Sequence, residues 1–117
     1  MKVKFRYWNC TIKISKYLHG GFPAIHLINP ETKETIATAT VNLIDYGIIP
    51  PEHHCYLKDY AENYGIVQIL TEAGAVIPVR QINFGISNYT ATLCQLSPQL
   101  IEQFQNLSFT SLKYQFN

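Results

Sequence analysis

The stretch from Cys55 to Ala75 constrains this chain more than any other, because it holds the strongest amphipathic helical pattern in the sequence. It reads as a short strand running into a helix over residues 59–73. Asp59 is placed to cap that helix, with Glu62 three residues later as a capping-box variant. Ile66, Ile69, Leu70 and Ala73 then recur at i, i+3, i+4 and i+7, which puts one apolar stripe on a helix. Gly74 stands where a left-handed stop is expected, and Pro78 forbids resumption. A stripe of this kind needs a surface to cover, and the rest of the chain must supply it.

The flanking sequence reads as sheet. Residues 2–7 alternate, with Lys2, Lys4 and Arg6 on one face and Val3, Phe5 and Tyr7 on the other. Trp8-Asn9 is expected to turn the chain. Ile12, Ile14 and Leu18 then face inward while Thr11, Lys13, Ser15 and Tyr17 face out, and Lys16 interrupts the inner row as an edge or bulge residue would. His19-Gly20-Gly21 reads as a turn, Ala24–Ile28 as a central strand, and residues 29–34 as a polar reversal. Residues 35–43 alternate again, and the small Ala37 and Ala39 leave room for a close-packed helix.

Residues 44–54 form a loop broken by Gly47, Pro50 and Pro51. Residues 77–84, with Pro78 and Arg80, are expected to be irregular or a short edge strand. Residues 87–96 read as a strand, and Ser97-Pro98 as the capped start of a second helix with Leu100, Ile101, Phe104 and Leu107 on its apolar face. The tail from Phe109 to Asn117 is left as an added edge strand or a free end. The expected fold is a single α+β domain over residues 1–117. An antiparallel, twisted sheet of five or six strands carries the main helix across one face, and the short second helix lies near the C-terminus.

Composition narrows the functional classes. With 47% hydrophobic and 15% charged residues over 117 positions, the chain can form one packed core and is not a disordered tail. A net charge of +1 argues against a strongly basic nucleic-acid surface and against an acidic mimic of DNA. No apolar run approaches the roughly 20 residues of a membrane span. The alternating start is not that of a secretory signal. Cys10, Cys55 and Cys94 are an odd set without close spacing, which reads as buried reduced thiols in a cytoplasmic protein.

No residue pattern carries a recognisable chemistry. His53, His54 and Cys55, even with His19 or His26, lack metal-ligand spacing, and adjacent residues on an extended segment point apart. Cys55 beside His54 is proximity in sequence, not the geometry of a nucleophile and its base. Capping explains Asp59 and Glu62 better than acid–base work does. No phosphate loop, dinucleotide fingerprint or nucleophile elbow is present. The reading is therefore a chain without a cofactor, metal or catalytic centre, hence not an enzyme.

Two surfaces remain as binding candidates. The first is the helix entrance, where Tyr46, Tyr56, Lys58, Tyr60, Glu62, Asn63 and Tyr64 concentrate polar and aromatic side chains suited to a protein partner. The second is the basic row Lys2, Lys4 and Arg6 with Lys13 and Lys16, which with Trp8 and Tyr17 could meet phosphates and bases.

Val41-Asn42-Leu43, Asp45-Tyr46, Lys58-Asp59-Tyr60-Ala61-Glu62-Asn63-x-Gly65 and Ala73-Gly74 resemble the signature of a family of small uncharacterised proteins encoded by bacterial phages, plasmids and integrative elements. The resemblance spans roughly residues 35–95, and the family has no assigned activity to carry over. What it implies is a setting: small mobile-element proteins often bind a host or defence machine, as anti-CRISPR inhibitors do. The expected function is a non-enzymatic accessory factor that binds a larger protein or ribonucleoprotein assembly. The alternative is a small nucleic-acid-binding domain using the amino-terminal strands.

Overall fold

The structure, a computed structural model, describes residues 1–107, so the tail reading from Phe109 onward lies outside the described residues. Seven strands and two helices follow in the order β1 (Lys2–Phe5), β2 (Trp8–Lys16), β3 (Pro23–Ile28), β4 (Thr35–Thr38), β5 (His54–Lys58), α1 (Ile66–Glu72), β6 (Val76–Phe84), β7 (Tyr89–Leu96) and α2 (Pro98–Gln105). The class is α+β. The strands do not form one sheet of five or six, however. They form a four-stranded antiparallel sheet, β1-β2-β3-β4, and a three-stranded antiparallel sheet, β5-β7-β6.

The division falls at residues 39–41. β4 ends at Thr38, and the chain then touches β5 through a single bridge between Thr40 and Leu57. Val41 N–H donates to the Tyr56 carbonyl at 2.9 Å and Lys58 N–H to that of Ala39 at 3.0 Å. Ala39 N–H donates to Ile25 at 2.8 Å. A three-residue segment thus sews the two sheets together.

Side-chain placement follows the strand period with instructive exceptions. The main core draws Phe5, Ile12, Ile14, Ile25 and Leu27 from the first sheet, Leu57, Val76 and Leu96 from the second, and Ile66, Leu70 and Leu100 from the helices. Ala39 packs in the same core. The β1–β2 turn is made by Arg6 and Tyr7, not Trp8-Asn9: Phe5 pairs with Trp8, and Arg6 takes φ 56°. A two-residue hairpin demands such left-handed backbone, and it throws Tyr7 outward, 94% exposed. At the far end of β2, Tyr17 is buried and Leu18 exposed, the reverse of the alternation reading. The Tyr17 hydroxyl has a buried partner, Thr40 Oγ1 at 2.8 Å, which Leu18 could not use.

The helix expected over 59–73 is shorter. Ala61–Asn63 is a 3₁₀ turn and α1 begins only at Ile66. Tyr64 and Gly65 separate the two, with Gly65 at φ 91°, a backbone that glycine adopts without a Cβ clash. The stop is as expected. Gly74 is left-handed, and its N–H donates to the Thr71 carbonyl at 3.0 Å. Ile66 and Leu70 are fully buried, with Ile69 packed partly against them. The second helix starts where the sequence placed it: Ser97 Oγ accepts from Leu100 N–H at 3.2 Å.

β6 is the largest departure, a nine-residue strand where an irregular or short segment was expected. A register shift between Pro78 and Arg80 absorbs the proline. β6 thereby pairs along the whole of β7, and its far end meets a second, smaller core of Leu43, Tyr56, Phe84, Ala91 and Leu93.

Candidate functional site

The entrance to α1 is built on Asp59. Its carboxylate accepts from Gly65 N–H at 2.5 Å and from Val67 N–H at 3.2 Å, reaching past the 3₁₀ turn to serve the first amides of the helix. The capping role expected of Asp59 is present, six and eight residues downstream instead of two or three. Asn63 ties the same turn to the first sheet: it is buried, and its side-chain amide donates to the Thr38 carbonyl at 2.7 Å. Asn63 therefore positions the site from beneath and offers a partner almost no surface. Glu62 is exposed and meets Lys58 at 3.7 Å. Its carboxyl is held below the usual range by its own backbone amide and then by the Lys58 ammonium.

Arg6 joins this cluster from a different sheet. Its guanidinium lies 5.2 Å from the Phe5 ring centre and donates to the Glu62 carbonyl at 2.8 Å. The left-handed hairpin residue thus clips the β1–β2 turn to the helix entrance, an attachment that sequence patterning does not reveal.

Above the second core the rings form a continuous row. Tyr60 stacks on Tyr89 at 5.2 Å, Tyr89 meets Phe84 at 6.0 Å, and Phe84 takes Tyr46 edge-on at 5.3 Å. Phe84 is buried and supports its neighbours, whereas Tyr46 and Tyr89 are 56% and 49% exposed. Tyr46 also approaches Gly85 in the β6–β7 hairpin, and the tip of that hairpin carries Ile86 fully exposed. Partial burial, then Tyr89 and Glu62 nearby, raise the Tyr60 hydroxyl above its ordinary pKa, so it stays a neutral donor and acceptor at physiological pH.

The structure therefore brings Tyr46, Lys58, Tyr60 and Glu62 together, buries Asn63 and Tyr56, and turns Tyr64 outward beside α1 at 78% exposure. Phe84, Ile86 and Tyr89 were missed. Their signal was present in a form that needs β6 to be seen: a strand ending at Phe84, a four-residue turn with Gly85, and Tyr89 directly across.

No family model matches the chain, and no curated protein or solved structure matches it either. The site must be read from its own geometry.

The basic row divides. Register places Lys2 opposite Thr11, Lys4 opposite Asn9 and Lys13 opposite His26, so these three lysines share one face of the first sheet. Arg6 is occupied at the helix entrance. Lys16 belongs to the opposite set of β2 residues, with its ammonium 5.3 Å from the Phe104 ring centre of α2. The rings expected to accompany the row are elsewhere as well. Trp8 alternates with Cys10 and Ile12 on the other face, and Tyr17 is buried.

The remaining polar groups have structural partners. His26 is buried beside Lys13, its ring nitrogens 2.9 Å from Ser15 Oγ and 3.1 Å from Thr38 Oγ1. Burial, and then the Lys13 charge, lower its pKa. Cys55 and Cys94 lie directly opposite each other on β5 and β7, a proximity that their sequence spacing did not suggest. Burial pushes both thiols up, Cys94 to about 12, so neither is a ready thiolate. Among the described residues no three His, Cys, Asp or Glu side chains gather as metal ligands, and no helix is long and apolar enough to cross a membrane.

Proposed function

We propose that this chain is a non-enzymatic binding protein whose docking surface is the row Tyr46, Tyr60 and Tyr89 with Ile86, edged by Lys58 and Glu62. The observation that carries the reading is the half-exposed ring row packed over its own small core. Tyrosines fixed in this way present large area with little rotamer entropy left to lose, which is the behaviour of interface anchors. The charged pair at the edge supplies a polar rim. With the mobile-element resemblance, the partner is a larger protein or ribonucleoprotein assembly, and the chain is an anti-defence accessory factor that acts by covering part of it. Capture from a bacterial lysate tests this. Tyr46→Ala with Tyr89→Ala should weaken retention of a stoichiometric partner by about a hundredfold, two anchors at roughly 1.4 kcal/mol each. Unchanged retention by a folded double variant removes the reading.

A second reading, nucleic-acid binding by the first sheet, is supported by Lys2, Lys4 and Lys13 on one face, none of them in an ion pair among the described residues. Of the two rings expected to accompany the row, Trp8 lies on the other face and Tyr17 is buried. Reversing the three lysines to Glu in a low-salt filter-binding titration decides it: affinity that is absent, or indifferent to reversal, ends it.

A further inference from the structure

β6 has a single neighbour, β7, so one edge of this strand is open among the described residues. Which backbone groups face that edge follows from the ladder. The bonds from Val41 to Tyr56 and from Lys58 to Ala39 turn Tyr56 and Lys58 toward residues 39–41, leaving Cys55 and Leu57 to exchange with β7. Leu96 N–H donating to the His53 carbonyl fits the same phase. Alternation then turns Ala91 and Leu93 to β6, where they meet Ile82 and Arg80. Gln81 and Asn83 consequently point their N–H and C=O groups outward, two residues apart, as a free ladder does. Upstream, Pro78 has no N–H and the register shift bends the edge, so the usable stretch runs from Arg80 to Phe84.

A groove of about 500 Å³ lies alongside, between this strand and the start of α1, with Tyr64, Val67, Val79, Arg80 and Gln81 in its walls. Its two charges differ in kind. Asp59 is committed to the amides of Gly65 and Val67. Arg80 is exposed and enters no ion pair among the described residues. A second copy of this chain would not complete the site, because β6 brings another Arg80 and no Asp or Glu.

We propose that an extended segment of a protein partner bearing an Asp or Glu adds as a strand to the β6 edge at Gln81 and Asn83. Its carboxylate pairs with Arg80, and an adjacent apolar side chain enters the groove beside Tyr64 and Val67. Backbone pairing supplies affinity and the two side-chain contacts supply selectivity. The proposal shares with the reading above only the premise of a protein partner, and does not use the tyrosine row.

The test selects displayed random 12-residue peptides on the purified full chain. Enriched sequences should carry an acidic residue within a β-branched or aromatic run. A synthetic peptide of that sequence should slow hydrogen exchange at the Gln81 and Asn83 amides. Binding should fall about tenfold or more with Arg80→Glu, and as much when the peptide's acid is replaced by its amide. Tyr46→Ala with Tyr89→Ala should leave peptide binding unchanged, which keeps this test separate from that of the ring row. Arg80→Glu changes one exposed side chain, and a thermal melt confirms that it is folded. Enrichment without acidic residues, binding indifferent to Arg80→Glu, or protection confined to other strands overturns the proposal. So does protection of Gln81 and Asn83 in the free protein with a dimer in sedimentation, since the second copy would then hold the edge.

Discussion

His26, Asn63 and the cysteines show how single buried polar groups set the conditions under which this fold persists. The pKa of His26 is lowered in the fold, so the unfolded chain binds its proton more readily than the native one does. Its contribution is fully present above the unfolded value of about 6.5 and is lost as pH falls through the lower, folded value. Lys13, on the same face of the neighbouring strand, opposes a charged ring further. Denaturant midpoints should therefore fall between about pH 7 and pH 5, and His26→Gln should flatten that segment of the profile. An unchanged slope would show that another group is responsible. Asn63 is a different case, since its amide caps a strand-end carbonyl. Asn63→Ala leaves the Thr38 oxygen without its donor and should cost about 1–3 kcal/mol in chemical denaturation. Cys10, Cys55 and Cys94 are all buried with raised pKa values, and the shift is largest at Cys55 and Cys94. A thiol reagent should consequently react only as the fold opens, and fast native labelling of Cys55 or Cys94 would contradict the packing.

At the scale of elements, α1 illustrates a signal read correctly in kind and misplaced in position. Seven residues cannot sustain a helix alone in water, so α1 depends on its cap and its buried face. Asp59→Ala removes the acceptor for two amides and should destabilise by about 1–2 kcal/mol, whereas Glu62→Ala, at an exposed and solvent-screened ion pair, should leave the denaturant midpoint essentially unchanged. Comparable losses for both would restore the capping-box reading. The periodic apolar residues, the aspartate and Gly74 were legible because helix chemistry is local. The gap at Tyr64-Gly65 was not, because Asp59 can serve amides six and eight residues away once a 3₁₀ turn folds between them. β6 failed for the opposite reason. Pro78 is a poor residue for a strand, and only the long partner β7 with a register shift makes it tolerable. The tyrosine row was half legible for the same cause: Tyr46 and Tyr60 stand near motifs, but Phe84 and Tyr89 meet only when β6 and β7 pair.

For the whole molecule, the decisive fact is that the two sheets, which share one core, are joined in backbone pairing at Thr40. No local pattern announces it, since residues 35–43 alternate like one strand and give no sign that the pairing partner changes midway. Thr40 is buried, and its hydroxyl oxygen lies 2.8 Å from the Tyr17 hydroxyl and accepts the Ile25 amide at 3.2 Å, while its backbone bridges Leu57. It therefore holds the end of β2, the middle of β3 and the start of the second sheet at one point. Desolvation raises the Tyr17 pKa to about 12, so that hydroxyl stays protonated and hydrogen-bonded across the physiological range. Thr40→Val preserves volume and removes the hydroxyl, leaving Tyr17 and the Ile25 amide unsatisfied in the core, and should cost about 2–4 kcal/mol. The main core takes side chains from both sheets, so this loss should be felt by both together. Trp8, the one tryptophan, reports on the first sheet by fluorescence, and hydrogen exchange at Ala91 and Leu93 reports on the second. Coincident shifts in the two signals are the expected outcome. A shift in Trp8 alone, with the β7 amides protected as before, would mean that the second sheet, with its ring row and open β6 edge, stands without the first.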